Sequence, residues 1–312
     1  MEQKENNYKN NEMDLINESK INKNKKKDDK KTLSPKVDYI FQKLFGEVGS
    51  ENITTDLLET ILEKNIREID LSENIVLRRE MEDDKLGVLD VLAKIEGNEY
   101  CNIELQMAEK SNIIERILYY WSRVFIRNIK KGDDYPELKK TIAVLIANFK
   151  IDELEEEKYH TKWKIIEEKY RKKILTDYLE IHIIMLNKAR EIRKEDKEID
   201  KLLKWLEFLE NPEGERVKEY MKEEKAIKEA KEKLDEMSKD PKIRRIAELR
   251  EKAIMDEKAA ERFGYNKGKA DGENLGYNKG KVELAKKMKE KNIEIDLIME
   301  ITNLPKAEIE KL

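Results

Sequence analysis

Apolar positions change their spacing along this chain, and each change marks a new element. Val37, Ile40, Phe41, Leu44 and Phe45 recur at helical spacing. Ser34 can serve as the N-cap with Pro35 in the first helical position, and Gly46 ends the stretch. Ile53, Leu57, Leu58, Ile61 and Leu62 predict a second amphipathic helix from about Asn52 to Leu62. From Asn74 the period becomes two, and three strands are expected: Ile75 to Glu80, Leu86 to Ile95 and Tyr100 to Ala108. Glu96-Gly97-Asn98 turns the second into the third. Ser111 then caps a long helix reaching Lys131. Thr141 to Asn148 is almost wholly apolar, as in a strand buried on both faces. Trp163 to Ile166 and Leu179 to Leu186 are two further strands. This order predicts an α/β fold, a mixed sheet flanked by helices.

Beyond Asn187 the pattern is helical and densely charged. Leu202, Leu203, Trp205, Leu206 and Leu209 still read as core, whereas 216–263 has sparse apolar positions, as in an exposed or weakly coiled helix. A repeat follows, GYNKGKADGENL and then GYNKGKVELAKK, with Gly264, Gly268, Gly272, Gly276 and Gly280 at equal steps. Each glycine costs a lone helix about 1 kcal/mol relative to alanine. A flexible linker is therefore the first reading, and a helix face open to a second backbone the sharper one. The expected organisation is a Lys/Asn-rich tail (1–32), a folded domain (33–210), a charged helical region (211–263), a Gly-repeat linker (264–281) and a small helical tail (282–312). That last segment has the spacing of a degenerate helix-turn-helix, but its carboxylates outnumber its lysines, which favours protein binding over DNA reading.

Charged residues make up 43% of the 312 and hydrophobic ones 38%, so the core must be concentrated, and it is, between Val37 and Leu209. With 65 basic against 69 acidic residues, any affinity for nucleic acid has to come from local basic stripes. Cys101 is the single cysteine, which excludes an intrachain disulfide and fits a reducing compartment. No apolar run approaches the roughly 18 residues of a membrane span, and no apolar core of a signal peptide is present. A cytoplasmic protein with no membrane partner is expected.

The chemistry is concentrated in KLGVLDVLAKIEGNEYCNIELQMA. Asn102, Glu104 and Gln106 alternate with Cys101, Ile103, Leu105 and Met107, giving a polar and an apolar face. Many half-exposed strands do the same. Asp90 is the unusual residue, because it lies between Leu89 and Val91 in a strand apolar on both sides. A carboxylate there is expensive unless paired, protonated or bound to a metal. Two acids on adjacent strands suit a hard cation, Mg²⁺ or Mn²⁺, and Gln106 on the same face could orient a water.

Hairpin parity decides whether the acids meet. A two-residue Gly97-Asn98 loop would put Asp90 opposite Leu105, away from Glu104. A three-residue loop, Glu96 to Asn98 with Asn98 left-handed, brings them together, and that register is the expected one. On the following helix Ile114, Leu118, Trp121, Phe125 and Ile129 form the expected buried stripe. Arg116, Tyr120, Arg123, Arg127 and Lys130 form a basic row able to hold phosphates; the plainer reading is a solvated helix face. His160 and His182 are too few and too isolated for zinc and read as structural, and Cys101 as a buried thiol.

Taken in order, LSPKVDYIFQKLFG, KLGVLDVLA, NIELQ, ILYYWSRVF, KGDDYPELKKTIAVLIANF and LEIHIIML resemble the recombination-promoting nuclease (Rpn) family, whose members are often labelled transposases of the PD-(D/E)XK superfamily. The resemblance covers roughly Leu33 to Lys188. It implies a restriction-endonuclease-like fold and divalent-metal-dependent DNA cleavage linked to recombination or mobile elements. Asp90 matches the family's acidic position on the second core strand, and Glu104 and Gln106 its E-x-Q element. Asp38 matches the place of an additional acidic ligand, though as a helix-start acid it also complements the helix dipole. Gln106 stands where the superfamily usually has lysine, and Met185 where many relatives have an acid.

The expected function is therefore a DNA endonuclease acting through Asp90, Glu104 and Gln106, with Asp38 as a further metal ligand. The alternative is a non-catalytic DNA- or protein-binding member of the fold that works through its helical tail. Strand transfer by a true transposase lacks a separate acidic triad. Double-strand cutting needs two sites, so a homodimer through the C-terminal helical region is a further expectation.

Overall fold

The computed structural model describes residues 32–72, 90–109, 112–129, 132–151, 154, 158–195 and 199–312. The expected strand at 75–80, the first residues of the expected strand at 86–95, the Lys/Asn-rich tail before residue 32, the cap at Ser111 and Lys130 lie outside them. The chain forms two compact units, one ending at Arg250 and one running from Glu251 to Leu312.

The first unit opens with helices α1 (Asp38–Phe45) and α2 (Glu51–Leu62). Helix α1 starts at Asp38 rather than at Pro35. Ser34 Oγ accepts the Lys36 N–H at 3.3 Å in the turn before it, so the expected cap is spent outside the helix. The apolar faces are the ones the spacing predicts, with Ile40, Phe41, Leu44 and Phe45 buried against Leu57, Leu58 and Ile61.

Six strands form the sheet: β1 (Ile69–Asp70), β2 (Val91–Ile95), β3 (Glu99–Gln106), β4 (Lys140–Ala147), β5 (His160–Trp163) and β6 (Leu179–Met185). Their order is β1-β2-β3-β4-β6-β5. Strands β3, β4 and β6 run parallel, while β1–β2, β2–β3 and β5–β6 are antiparallel. Strand β4 is central and covered on both sides, which accounts for its unbroken apolar run.

One face of the sheet presents Val91, Ala93, Cys101, Ile103, Ile142, Val144 and Ile146 to the larger core. The other carries Ala143, Leu145, Ile181 and Ile183 and is covered by helix α3 (Ile113–Arg127). After β6 come α4 (Leu186–Glu195), α5 (Lys201–Glu210), α6 (Glu215–Glu223) and α7 (Lys225–Lys239). Trp205 on α5 is wholly buried and meets Phe45 edge-on at 5.9 Å. A side chain of that size contributes about 3 kcal/mol through burial.

The folded core reaches further than residue 210. Val217, Ile227, Ala230 and Leu234, on α6 and α7, are fully buried in it. Their sparse spacing reads as exposed from sequence because only one narrow stripe of each helix faces inward.

Helix α3 also turns a different face inward. Its buried stripe is Ile113, Ile117, Tyr120 and Val124, while Leu118 is exposed and Ile114, Trp121 and Phe125 lie half-buried at the border. Both stripes are apolar, and the small residues Ala143 and Ala147 on β4 make room for Ile113 and Ile117. Tyr120 consequently leaves the exposed row and packs with Leu92 and Val124.

Helix α8 (Pro241–Glu290) contains the glycine repeat, so a helix replaces the expected linker. The residues between the glycines include good helix formers, Lys, Glu, Ala and Leu, which offset the glycine penalty. A Cβ at any of the five repeat glycines would meet nothing within 4 Å. In the second unit α9 (Ile295–Thr302) and α10 (Lys306–Lys311) close a small cluster of Ala285, Met288, Ile298 and Ile309, with left-handed Asn303 and Pro305 between them. Among the described residues no helix is long and apolar enough to cross a membrane.

Candidate active site

The register of the β2–β3 hairpin builds the site. Val91 pairs with Ile103, Leu92 with Asn102 and Ile95 with Glu99, leaving Glu96, Gly97 and Asn98 as a three-residue loop. Asp90 stands one residue before the ladder begins, where the same register continued faces Glu104, and its backbone N–H hydrogen-bonds the Glu104 carboxyl. The left-handed residues are Glu96 (φ 50°) and Gly97 (φ 67°), not Asn98. The Glu96 N–H donates to Glu68 O at 3.0 Å, and the Arg67 N–H donates to Glu96 Oε1 at 2.5 Å. The segment leading into β1 thus fixes the first loop residue, and Asn98 closes the turn on Ile95 O at 3.2 Å.

Asp90 and Glu104 are both buried, 7% and 8% exposed. Asp90 Oδ2 accepts the Leu105 N–H at 2.7 Å, and Gln42 Nε2 lies 3.5 Å from Oδ1. Burial pushes the Asp90 carboxyl up to about 7 against the Leu105 hydrogen bond, and the charge of Asp38 adds to the rise. Burial, then the charge of Asp90, raises Glu104 well above the carboxylate range. Asn102 Nδ2 approaches Glu104 Oε1 at 3.4 Å, while Asn102 Oδ1 is buried without a hydrogen-bond partner. The pair is short of positive charge.

The nearest relief comes from α3. Arg116 lines a small cavity with Glu104, Gln106 and Tyr120, its guanidinium lies 5.2 Å from the Tyr120 ring centre, and its charge lowers both acids. Arg116 thus belongs beside the carboxylates, and Tyr120, 1% exposed, forms its platform rather than a phosphate contact. Arg123 is exposed and Arg127 half-buried on the same side of α3. Gln106 is half-buried and donates through Nε2 to Ala108 O at 3.1 Å. Asp38 opens α1, and its Oδ2 lies 3.7 Å from an Arg250 guanidinium nitrogen. Among the described residues no three His, Cys, Asp or Glu side chains close on one point as a metal cluster. Two buried oxygen donors, an orphaned amide oxygen and raised carboxyls still fit a hard divalent ion, which completes its shell with water and phosphate oxygens. Gln42 escaped the sequence reading, although its place one turn after Asp38 was visible.

A second charged cluster occupies the opposite face of the sheet. Glu180, 3% exposed, meets Lys140 at 3.1 Å, Lys162 at 2.9 Å and Lys164 at 3.4 Å. His182 Nε2 lies 2.9 Å from Glu180, and its Nδ1 lies 2.9 Å from His160 Nε2. Far from being isolated, the two histidines touch, because β5 pairs with β6. Burial raises the Glu180 carboxyl, but the bonds from His182, Lys162 and Lys140 outweigh it and hold the group far below its ordinary range. Burial and the adjacent His182 lower His160 to about 4. Cys101 is fully buried, and burial pushes its thiol up, away from the reactive thiolate.

No curated protein and no solved structure matches the chain. A family model does, over residues 35–262, and it describes a PD-(D/E)XK nuclease family transposase. The mixed six-stranded sheet with helices on both faces is the restriction-endonuclease-like fold of that superfamily. Since the match covers most of the chain and spans every strand of the sheet, this protein belongs to the PD-(D/E)XK nuclease family of transposases.

Proposed function

We propose that this chain is a divalent-metal-dependent DNA endonuclease, with Asp90 and Glu104 as the metal-binding carboxylates. The observation that carries the reading is the pair itself: two buried acids side by side, Asp90 just before β2 and Glu104 on β3, with Asp90 raised by burial and the charge of Asp38, and Glu104 raised by burial and the charge of Asp90. A protein that did not use them would be better served by neutral residues. An ion held there, Mg²⁺ or Mn²⁺, supplies Lewis acidity toward a phosphodiester and lowers the pKa of a water.

The chain's own residues do the rest. The Leu105 N–H and Gln42 fix the orientation of Asp90. Gln106, turned from Ala108, offers its amide oxygen to the attacking water but brings no charge. Arg116 supplies the positive charge that a motif lysine would otherwise bring, from a helix instead of the strand. Arg116, Arg123 and Arg127, with Lys130, hold the phosphate backbone. Asp38 is the further acidic ligand once freed from Arg250. The family description supports a role in recombination or mobile-element biology, and a cytoplasmic location completes the proposal. A homodimer through the C-terminal helical region brings two sites to one duplex; light scattering at twice the 37.1 kDa chain mass is its check.

Plasmid cleavage by the full chain in Mg²⁺ or EDTA, beside Asp90→Ala and Glu104→Ala, tests the central claim. Nicking that needs the metal and disappears in both variants supports it. A folded wild type that leaves the plasmid uncut under every divalent ion tried moves the reading to a non-catalytic binding protein.

A further inference from the structure

Beyond β5 the chain leaves the sheet as a hairpin. Ile166 bridges Ile174, the Leu175 N–H donates to Ile165 O at 3.0 Å, and the Glu167 N–H donates to Lys173 O at 3.0 Å. The tip is closed by Lys173 N–H on Tyr170 O at 2.7 Å and by Tyr170 N–H on the Glu167 carboxylate. Every residue from 165 to 175 is exposed, Tyr170 at 70% and Leu175 at 76%. Two-stranded hairpins are marginal in water, and one that leaves Ile165, Ile166, Ile174 and Leu175 uncovered is a candidate interaction surface.

Charge identifies the partner's chemistry. Lys169, Arg171, Lys172 and Lys173 surround Tyr170 at the tip, on a chain whose net charge is -4. Lys162 and Lys164, at the base, are held by Glu180, whereas no ion pair engages the four tip cations among the described residues. Cations interleaved with an exposed aromatic ring match a phosphate backbone with base or sugar faces.

Position points the same way. Thr161, Ile183, Leu145 and Glu104 are successive register neighbours on one sheet face, so β5 lies three strand spacings from Glu104, about 14 Å. The tip lies a further stretch of strand away, placing it on the order of 30 Å from Glu104, close to one turn of duplex at about 34 Å. Helix α3 bridges the interval. Arg116 stands beside Glu104 at one end. Toward the other, Trp121 Nε1 donates to Thr141 O at 2.8 Å, and Phe125 meets Tyr178, just after the hairpin, at 6.1 Å.

We propose that the hairpin Ile165–Leu175 is a second DNA-binding element, gripping the phosphate backbone about one duplex turn from the Asp90–Glu104 pair. It rests on the nuclease reading for its substrate and adds where the duplex lies. DNA runs from the acids along α3 to the tip, so short DNA reaches the site without using the hairpin.

The test is fluorescence anisotropy with the full chain in EDTA, on stem-capped duplexes of about 8 and about 24 base pairs, below and above one turn. Lys169, Arg171, Lys172 and Lys173 are changed together to Glu, and in a second variant to Gln. The tip buries nothing, so both variants should keep the wild-type melting curve. On the long duplex the Glu variant should lose affinity at least about 30-fold and the Gln variant about 5-fold, with the log–log salt slope shallower by about 2–4. The short duplex should bind all three proteins within about twofold. Equal affinity and slope for all three on the long duplex overturns the proposal, even where the wild type cuts plasmid and the nuclease reading stands. Unchanged DNA affinity with a hairpin-dependent mass in light scattering overturns it in favour of a protein partner. A wild type that binds neither duplex overturns it as well.

Discussion

Two buried acidic sites occupy opposite faces of the same sheet, and their surroundings could hardly differ more. Glu180 is ringed by Lys140, Lys162, Lys164 and His182 at 2.9 to 3.4 Å. Asp90 and Glu104 have each other, a backbone N–H and the more distant charge of Arg116, with no ion-pair partner among the described residues. The first carboxylate is held charged by the protein; the second pair is pushed toward its neutral form. A structural acid carries its own counter-ions; the pair without them is where the proposed metal ion would supply the missing charge. Burial alone would not have separated the two, since all three residues are under 10% exposed.

The largest expected separation is in rate. Glu104→Gln should lower DNA cleavage at least about 10³-fold, because the group that acts only through a bound ion is lost. Glu180→Gln should leave the rate per folded molecule within about threefold. Single-turnover cleavage of a labelled duplex reads both, and a comparable loss in the two variants would dissolve the distinction.

Stability should reverse the ranking. Glu180→Gln strands ammonium groups and a buried imidazole, and should cost about 2–4 kcal/mol, the lower end reflecting lysines partly exposed to water. At a pH above 7, where Asp90 is ionised, Asp90→Asn removes a buried charge that the metal-free protein does not compensate, and should stabilise it by about 1–3 kcal/mol. Urea unfolding in EDTA measures both. If Asp90→Asn proves as destabilising as Glu180→Gln, the acid pair is part of the scaffold and its strain is not functional.

The sequence exposed one of these sites and hid the other. Asp90 announces itself as an acid in an apolar strand, and parity ties it to Glu104 through a loop of three residues. Glu180 sits in an equally apolar strand, but its counter-ions come from β4 and from the β5 edge, and no local pattern shows which strands will pair. The same limit separated His160 from His182. Within α3 the two candidate stripes are both apolar, so the choice between Trp121 and Tyr120 as the buried aromatic depended on Leu92 and the small residues of β4. Around the hairpin, loop length was legible because it follows from where the acids must meet. The left-handed residue was not, because Glu68 and Arg67 impose it from outside.

Titration should give the smallest effect and the finest comparison. Asp90 has its folded pKa raised from 3.8 to about 7, so its contribution is fully present below pH 4 and is lost as pH climbs to 7. Glu180 has its folded pKa lowered, so its contribution is present above about 4.5 and is lost as pH falls below that. The metal-free protein should therefore lose stability on the acid side through Glu180 and toward neutrality through Asp90 and Glu104. Each loss can be assigned by subtraction. The wild type minus Asp90→Asn should slope downward between pH 4 and 7, by about 1 kcal/mol or more. The wild type minus Glu180→Gln should be flat there and fall only at lower pH. Mg²⁺ added at pH 7 should restore the wild type by about 1.4 kcal/mol at tenfold excess over its dissociation constant, and should do little for Asp90→Asn. A Mg²⁺ effect of equal size in both proteins would place the ion elsewhere. The raised carboxyl of Asp90 would then be a packing compromise with no bearing on catalysis.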